Sequence, residues 1–167
     1  DSLSGVSGAG RKMEGEYLFV ECNESARPYA VPKHRHLSEI EEQLSRAAKT
    51  PVIIQFTPHL IPLNRGILTT LYLEPEKHFS TTSEMNSLNE KVSACYKKFY
   101  GNEPFVRLLD GKNFPDTKNV AGTNIIEIAW RIDSRTNRLV VMSAEDNLVK
   151  GAGGQAIQSL NILCGWP

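Results

Sequence analysis

Neither charge is in excess: Lys plus Arg and Asp plus Glu number 19 each, so the formal net charge is zero. That balance argues against nucleic acid or an anionic membrane as the main partner. No apolar run approaches the length of a membrane span, and nothing resembles a signal peptide. Cysteine is scarce. Cys22, Cys95 and Cys164 are far apart and form no CxxC pair, which reads as reduced thiols in a cytosolic-type compartment. None sits in a Gly-rich or Pro-flanked turn of the kind that exposes a nucleophile. Cys22 falls in an expected strand, and Cys95 and Cys164 read as core. No G-x-S-x-G, G-x-G-x-x-G or P-loop pattern is present, and no internal repeat is visible.

What is present is ordinary globular material. The 167 residues are 40% apolar and 23% charged, enough for one domain with its own core. Strands are expected at Tyr17–Asn23, Val52–Thr57, Ile67–Leu73 and Phe105–Asp110. A pair at Asn124–Ile132 and Arg138–Glu145 flanks the turn "DSRTN". One helix is expected from Ser38, capped by the Ser38/Glu41 box and ending before Pro51. A long one runs over Ser83–Phe99, with Met85, Leu88, Val92, Tyr96 and Phe99 at helical spacing. A last one follows the glycines of "KGAGGQA" and ends at Gly165 and Pro167. Strands joined by a hairpin with few helices predict an α+β fold, a mainly antiparallel mixed sheet with helices packed on one face. Trp130 should share an apolar strand face with Ile126, Ile128 and Ile132. No domain boundary stands out.

The stretch "KHRHLSEIEEQL" sets His34 and His36 around Arg35, just before a helix start. In an extended segment the two histidines share a face, and His59 would be a third zinc ligand. No Cys, Asp or Glu joins them at a recognised spacing, and Arg35 adds unfavourable charge. His59 and His78 read as satisfied, partly buried side chains. A histidine beside a helix N-terminus and an arginine favours its neutral form, which suits proton transfer. Arg35 suits a carboxylate or phosphate, or a surface ion pair with Glu39 or Glu42. Gly151, Gly153 and Gly154 would serve an anion at a helix N-terminus or close helix-to-sheet packing. The leader "DSLSGVSGAGRK" reads as flexible, or as a stretch where Gly5, Gly8 and Gly10 let the backbone approach a ligand.

Three segments together, "SGVSGAGRK", "HRHLSEIE…FTPHLIPLNRGIL" and "DNLVKGAGGQAIQSLN", resemble the second half of the N-acetyl-gamma-glutamyl-phosphate reductases. Their order and spacing fit, and the likeness covers essentially the whole chain. Aspartate-semialdehyde and glyceraldehyde-phosphate dehydrogenases are the wider kin. The resemblance implies a glyceraldehyde-phosphate-dehydrogenase-like C-terminal domain over 1–167, catalytic and dimerising. It implies NADPH-dependent reduction of N-acetyl-glutamyl 5-phosphate to the semialdehyde, in arginine biosynthesis. In that chemistry a cysteine thiolate displaces phosphate, hydride reduces the thioester, and a histidine handles protons.

Carried over residue by residue, the resemblance makes His34 the acid–base residue. Tyr29, Arg35 and His36 would bind substrate, and Ser4, Gly5 and Asn147 would contact the NADP nicotinamide end. Arg65 is open between substrate contact and structural support. Gly151, Gly153 and Gly154 would let the last helix approach the cofactor domain. The family's P-G-C-Y-P-T-like nucleophile turn and its Rossmann unit are not among these residues; both are expected upstream of Asp1. The chain is therefore expected to be an excised domain or one part of a split protein, inactive alone. Leu37-Ser38 stands where the family has Thr-Pro. The expected partners are a small-molecule substrate and a second copy through the sheet, with no nucleic acid, membrane or metal. The expected location is cytoplasmic, or organellar in a eukaryote. A non-catalytic dimerisation module derived from such a reductase is the alternative reading.

Overall fold

The computed structural model describes residues 1–166, which divide into two units, Asp1–Asn64 and a second that begins at Arg65. In the first, β1 (Ser2–Ser4), β2 (Arg27–Pro28) and β3 (Pro58–Leu60) are short. β3 is the middle strand, parallel to β1 and antiparallel to β2. Between them lie α1 (Phe19–Cys22) and α2 (Leu37–Ala48). The glycine-rich leader is ordered. After β1 it turns through a 3₁₀ segment at Val6–Ala9, and Val6 and Ser7 donate to the Leu63 and Asn64 carbonyls at 2.9 and 3.1 Å.

Two expected strands in this unit are not strands. Tyr17–Asn23 has strand-forming side chains but no ladder partner. Its backbone closes locally instead, with Cys22 and Asn23 N–H donating to the Leu18 and Phe19 carbonyls at 3.0 and 2.8 Å. Val52–Thr57 is extended, and the alternation is as expected: Val52, Ile54 and Phe56 are turned inward, Ile53 and Gln55 outward. Its inward N–H groups bond to α2 rather than to a strand. Val52 N–H donates to Ser45 Oγ at 2.9 Å, and Ile54 N–H to Glu41 Oε1 at 3.1 Å. Four helical residues rise about 6 Å and two extended ones about 6.7 Å, so the two repeats match closely. Glu41 is thereby diverted from the expected capping box with Ser38. The helix begins one residue earlier, at Leu37, with His36 as an N-cap that makes no side-chain cap bond.

The second unit holds β4 (Ile67–Leu73), β5 (Val106–Leu108), β6 (Ile126–Asp133) and β7 (Arg138–Glu145). β7 lies between β4 and β6, antiparallel to both, and β5 pairs parallel with β6. The mixed, mainly antiparallel pairing in an α+β chain agrees with the sequence reading. The β6–β7 turn is closed by Asp133, whose carboxylate accepts from Arg135 N–H and Thr136 Oγ1–H at 2.9 and 2.8 Å, with Asn137 at φ 57°.

α3 (Thr82–Tyr100) starts in a reciprocal capping box between Thr81 and Glu84. It turns Met85, Leu88, Val92 and Tyr96 inward, while Phe99 is exposed. Tyr96 stacks on Trp130, with ring centroids 4.8 Å apart and planes 8° from parallel. The expected Ile126–Ile128–Trp130–Ile132 face thus lies under α3, but it is only half-buried. Glu127 and Ala129, on the opposite face, are almost fully buried. The chain between β5 and β6 accounts for this. Glu127 pairs with Arg107 at 2.8 Å and accepts from Asp116 N–H at 3.2 Å, just before α4 (Thr117–Val120) with its buried Val120. The four-residue α4 thus lies beside the face opposite α3.

The last helix, α5 (Gly154–Cys164), follows a π-helical turn at Val149–Gly153. Gly165 ends it at φ 66°; Pro167 lies outside the described residues. α3 and α5 bury no residue completely, so Cys95 and Cys164 are exposed rather than core, while Cys22 is buried in α1.

Candidate active site

The "HRH" corner is built where β2 hands over to α2. Tyr29 N–H donates to the Pro58 carbonyl at 3.0 Å, continuing the β2–β3 ladder by one bond. Ala30, at φ 49°, turns the chain through a left-handed conformation that costs a non-glycine residue about 1 kcal/mol. The prolines Pro28 and Pro32 keep the segment out of helix until Leu37. These constraints gather four rings. His34 meets Tyr29, His36 and Phe56 edge-on, at centroid distances of 5.5, 4.9 and 5.5 Å.

His34 is the half-buried member of the triplet; Arg35 and His36 are exposed. Burial lowers the His34 pKa below its ordinary value, and the nearby charges of His36 and Arg35 lower it further. The ring is therefore neutral at pH 7. Its tautomer is also set, because His36 N–H donates to His34 Nδ1 at 3.2 Å. The remaining proton then sits on Nε2. Beside the ring opens a cleft of about 560 Å³, lined by Lys33, His34, Arg35, Ser38 and Glu41 among others. Arg35 makes no ion pair with Glu39 or Glu42 among the described residues, so its guanidinium is available to an anion. Tyr29 is half-buried, and burial raises its phenol pKa against the opposing pull of Arg35.

The other sequence candidates fall elsewhere. Ser4 ends β1, its hydroxyl donating to the Gly5 carbonyl at 3.2 Å, and Gly5 is buried. His59 is partly buried on β3, and its buried Nδ1 has no hydrogen-bond partner, so it is not the satisfied side chain expected. His78 is exposed, not partly buried. Among the described residues no group of His, Cys, Asp or Glu is arranged to hold a metal.

In the second unit, Asn147 follows β7 and is 7% exposed. Its Oδ1 accepts from Gly66 N–H at 2.8 Å, which fixes the orientation of the amide. Gly66, at φ 111°, could not be another residue: a Cβ there would lie 2.8 Å from Thr117 Cβ. Arg65, half-exposed, reaches the fully buried Asp146, with Nη1 3.5 Å from Oδ2. Asp146 was not singled out by sequence reasoning, although it opens the "DNLVKG" segment. A lone aspartate before a polar residue carries no spacing signal.

The backbone at Gly154 is equally constrained. A Cβ there would overlap Asn124 Oδ1 and lie 2.7 Å from Val149 Cγ1. Its role is close packing at the start of α5.

Comparison with known proteins places this geometry. The semialdehyde dehydrogenase dimerisation domain matches residues 1–147. The N-acetyl-gamma-glutamyl-phosphate reductase of Akkermansia muciniphila is 56% identical over 166 residues, 99% of this chain and 45% of that protein. The one from Acetivibrio thermocellus is 52% identical over 169 residues, 100% of this chain and 46% of that protein. The chain thus spans less than half the length of these curated relatives. Among solved structures, aspartate semialdehyde dehydrogenase II of Vibrio cholerae, complexed with ASA, superposes with a TM-score of 0.67 at 15% identity. That match covers 98% of this chain and 53% of the other, and shows a shared fold. The chain belongs to the semialdehyde dehydrogenase family, as its dimerisation domain.

Proposed function

We propose that this chain supplies the substrate-binding and proton-handling part of an NADPH-dependent reductase. The reaction converts N-acetyl-glutamyl 5-phosphate to N-acetyl-glutamate 5-semialdehyde and phosphate, in arginine biosynthesis. The observation that carries the reading is the His34 corner: a neutral imidazole with a fixed tautomer, ringed by Tyr29 and Phe56, beside the exposed Arg35. The identity to reductases of that name supports it.

In this reading Arg35 and His36 hold anionic groups of the substrate in the cleft, and Tyr29 fixes the ring plane of His34. A cysteine thiolate from the rest of the parent protein attacks the acyl carbon, and phosphate leaves with the electrons of the broken C–O bond. Bound NADPH would supply the hydride to the resulting thioester; the C–S bond then breaks, which releases the semialdehyde and returns the cysteine thiolate. His34 stabilises the oxygen that gains charge, donating a hydrogen bond from Nε2 and giving up or regaining its proton there. Ser4, Gly5 and Asn147 are the residues of this chain that would contact the nicotinamide end. Asn147 suits the role because its Oδ1 is held by Gly66, which orients the amide. The dimerisation-domain match supports a homo-oligomer; assembly through the sheet and work in the cytoplasm belong to the same proposal.

The test is NADPH oxidation by the full-length protein with N-acetyl-glutamyl phosphate. His34→Ala should lower kcat about a hundredfold or more. A kcat near wild type across pH 6–9 overturns the assignment.

A further inference from the structure

Asp146 is fully buried, yet four donors converge on its carboxylate. Oδ1 accepts Leu148 and Val149 N–H at 2.8 and 2.9 Å. Oδ2 accepts Gly122 N–H at 2.7 Å and faces Arg65 Nη1 at 3.5 Å. Taking a carboxylate out of water costs several kcal/mol, offset only where donors replace its hydration. Here three of the donors are backbone groups, so the chain itself fixes the carboxylate. They come from two separate segments: the loop before β6 and the start of the π turn. Arg65 adds a third, the entry to β4.

The next residue repeats the pattern. Asn147 Oδ1 accepts Gly66 N–H at 2.8 Å, so residues 65–66 and 146–147 are joined twice, once by charge and once by a buried amide. The turn that follows is also anchored here. Gly151 N–H donates to the Asp146 carbonyl at 3.0 Å, five residues back. Such a π turn is uncommon and needs local support; an ordinary α-turn would rotate the following helix by about 100° relative to Asn147.

We propose that Asp146 is a positioning residue: its buried carboxylate locks Arg65, the 121–123 loop and the π turn together, and so presents the Asn147 amide in one orientation. The inference rests on the reading that Asn147 meets the cofactor carboxamide. Asp146 touches neither cofactor nor substrate; it acts through Asn147.

The experiment is a double-mutant cycle in the full-length protein, with Asp146→Asn, Asn147→Ala and the pair. The readouts are KM for NADPH, KM for the acyl phosphate, kcat and amide hydrogen exchange. Asp146→Asn keeps the shape and removes the charge. It should raise the NADPH KM about tenfold, leave the acyl-phosphate KM within about twofold, and speed exchange at Gly66, Leu148 and Val149. Asn147→Ala should raise the NADPH KM similarly. The double variant should match Asn147→Ala within about twofold, because one residue works through the other.

Multiplying effects in the double variant overturn the proposal. So does an unchanged NADPH KM in Asp146→Asn beside a raised one in Asn147→Ala, and the cofactor reading then survives. An unchanged NADPH KM in Asn147→Ala overturns both. If Asp146→Asn does not fold, Arg65→Gln is read the same way, since it leaves the carboxylate and its backbone donors in place. A raised NADPH KM that does not multiply with Asn147→Ala supports the proposal, and an unchanged one overturns it.

Discussion

The backbone N–H of His36 donates to Nδ1 of His34 across 3.2 Å. One residue of the triplet thereby sets the protonation of the other. With Nδ1 occupied as an acceptor, neutral His34 can carry its proton only on Nε2. Nε2 then begins as a donor. A glutamine amide places its N–H near the Nε2 position, an asparagine amide nearer Nδ1. In the full-length protein His34→Gln should keep roughly tenfold more kcat than His34→Asn. Higher activity in the asparagine variant would reverse the tautomer.

His36 serves His34 through its backbone, and that N–H survives His36→Ala. The variant should raise KM for the acyl phosphate while kcat stays within about threefold of wild type. His34 should still titrate below the ordinary histidine value of about 6.5, read by NMR of the ring protons. If His36→Ala abolishes turnover instead, the two histidines exchange roles.

The 167-residue chain alone should not reduce N-acetyl-glutamyl phosphate, and should bind NADPH weakly or not at all. It holds the His34 corner, to which the proposal gives the proton handling, but no cysteine in a nucleophile turn among the described residues: Cys22 is buried and donates to the Glu16 carbonyl at 3.2 Å, while Cys95 and Cys164 sit on helices. Steady-state turnover by the purified chain would show that one of these thiols suffices.

Where periodicity and a neighbour agreed, the sequence was legible. Arg138–Glu145 is a strand as expected because β4 and β6 flank it. The long helix is right to within one residue at each end, because Met85, Leu88, Val92 and Tyr96 have a sheet to pack on. Reading failed where the partner was not a strand. Val52–Ile54 bonds to the side chains of Ser45 and Glu41, and Tyr17–Asn23 has no ladder partner among the described residues. The four-ring cluster was half legible. Tyr29, His34 and His36 are close in sequence, but Phe56, whose ring meets His34, lies in a separate segment beyond α2. The Asp146 hub was not legible, since its donors at Gly122 and Arg65 are 24 and 81 residues away.

The Tyr96–Trp130 stack supplies the main aromatic contact between α3 and its sheet. Trp130 Nε1–H also donates to Asn89 Oδ1 at 3.1 Å. A cycle of Tyr96→Ala and Trp130→Ala, followed by urea unfolding, should give a coupling of about 1 kcal/mol beyond the area lost by each. Asn89→Ala should cost about 1 kcal/mol or less, because its bond is exposed to water. Strict additivity of the ring substitutions would mean that α3 is held by its aliphatic stripe alone.

The last expectation concerns acid. Burial alone would raise the Asp146 pKa, but hydrogen bonds from Gly122, Val149 and Leu148, with the Arg65 charge, together hold it below the usual carboxylate value. The unfolded chain titrates near about 3.9. A folded pKa below that means the unfolded state takes up the proton first as pH falls. The stabilisation is therefore complete above the unfolded value and disappears as pH drops through the folded one. Glu84 and Asp133 are also depressed, by hydrogen bonds at the helix start and the hairpin turn, so acid sensitivity by itself identifies no single residue. The difference between wild type and Asp146→Asn does, because the other carboxylates cancel. Urea midpoints of the two proteins should lie far apart at pH 7 and draw together as the pH falls below about 4. A gap that stays constant over that range would mean that Asp146 contributes shape but not charge, and that its carboxylate is not ionised in the folded protein.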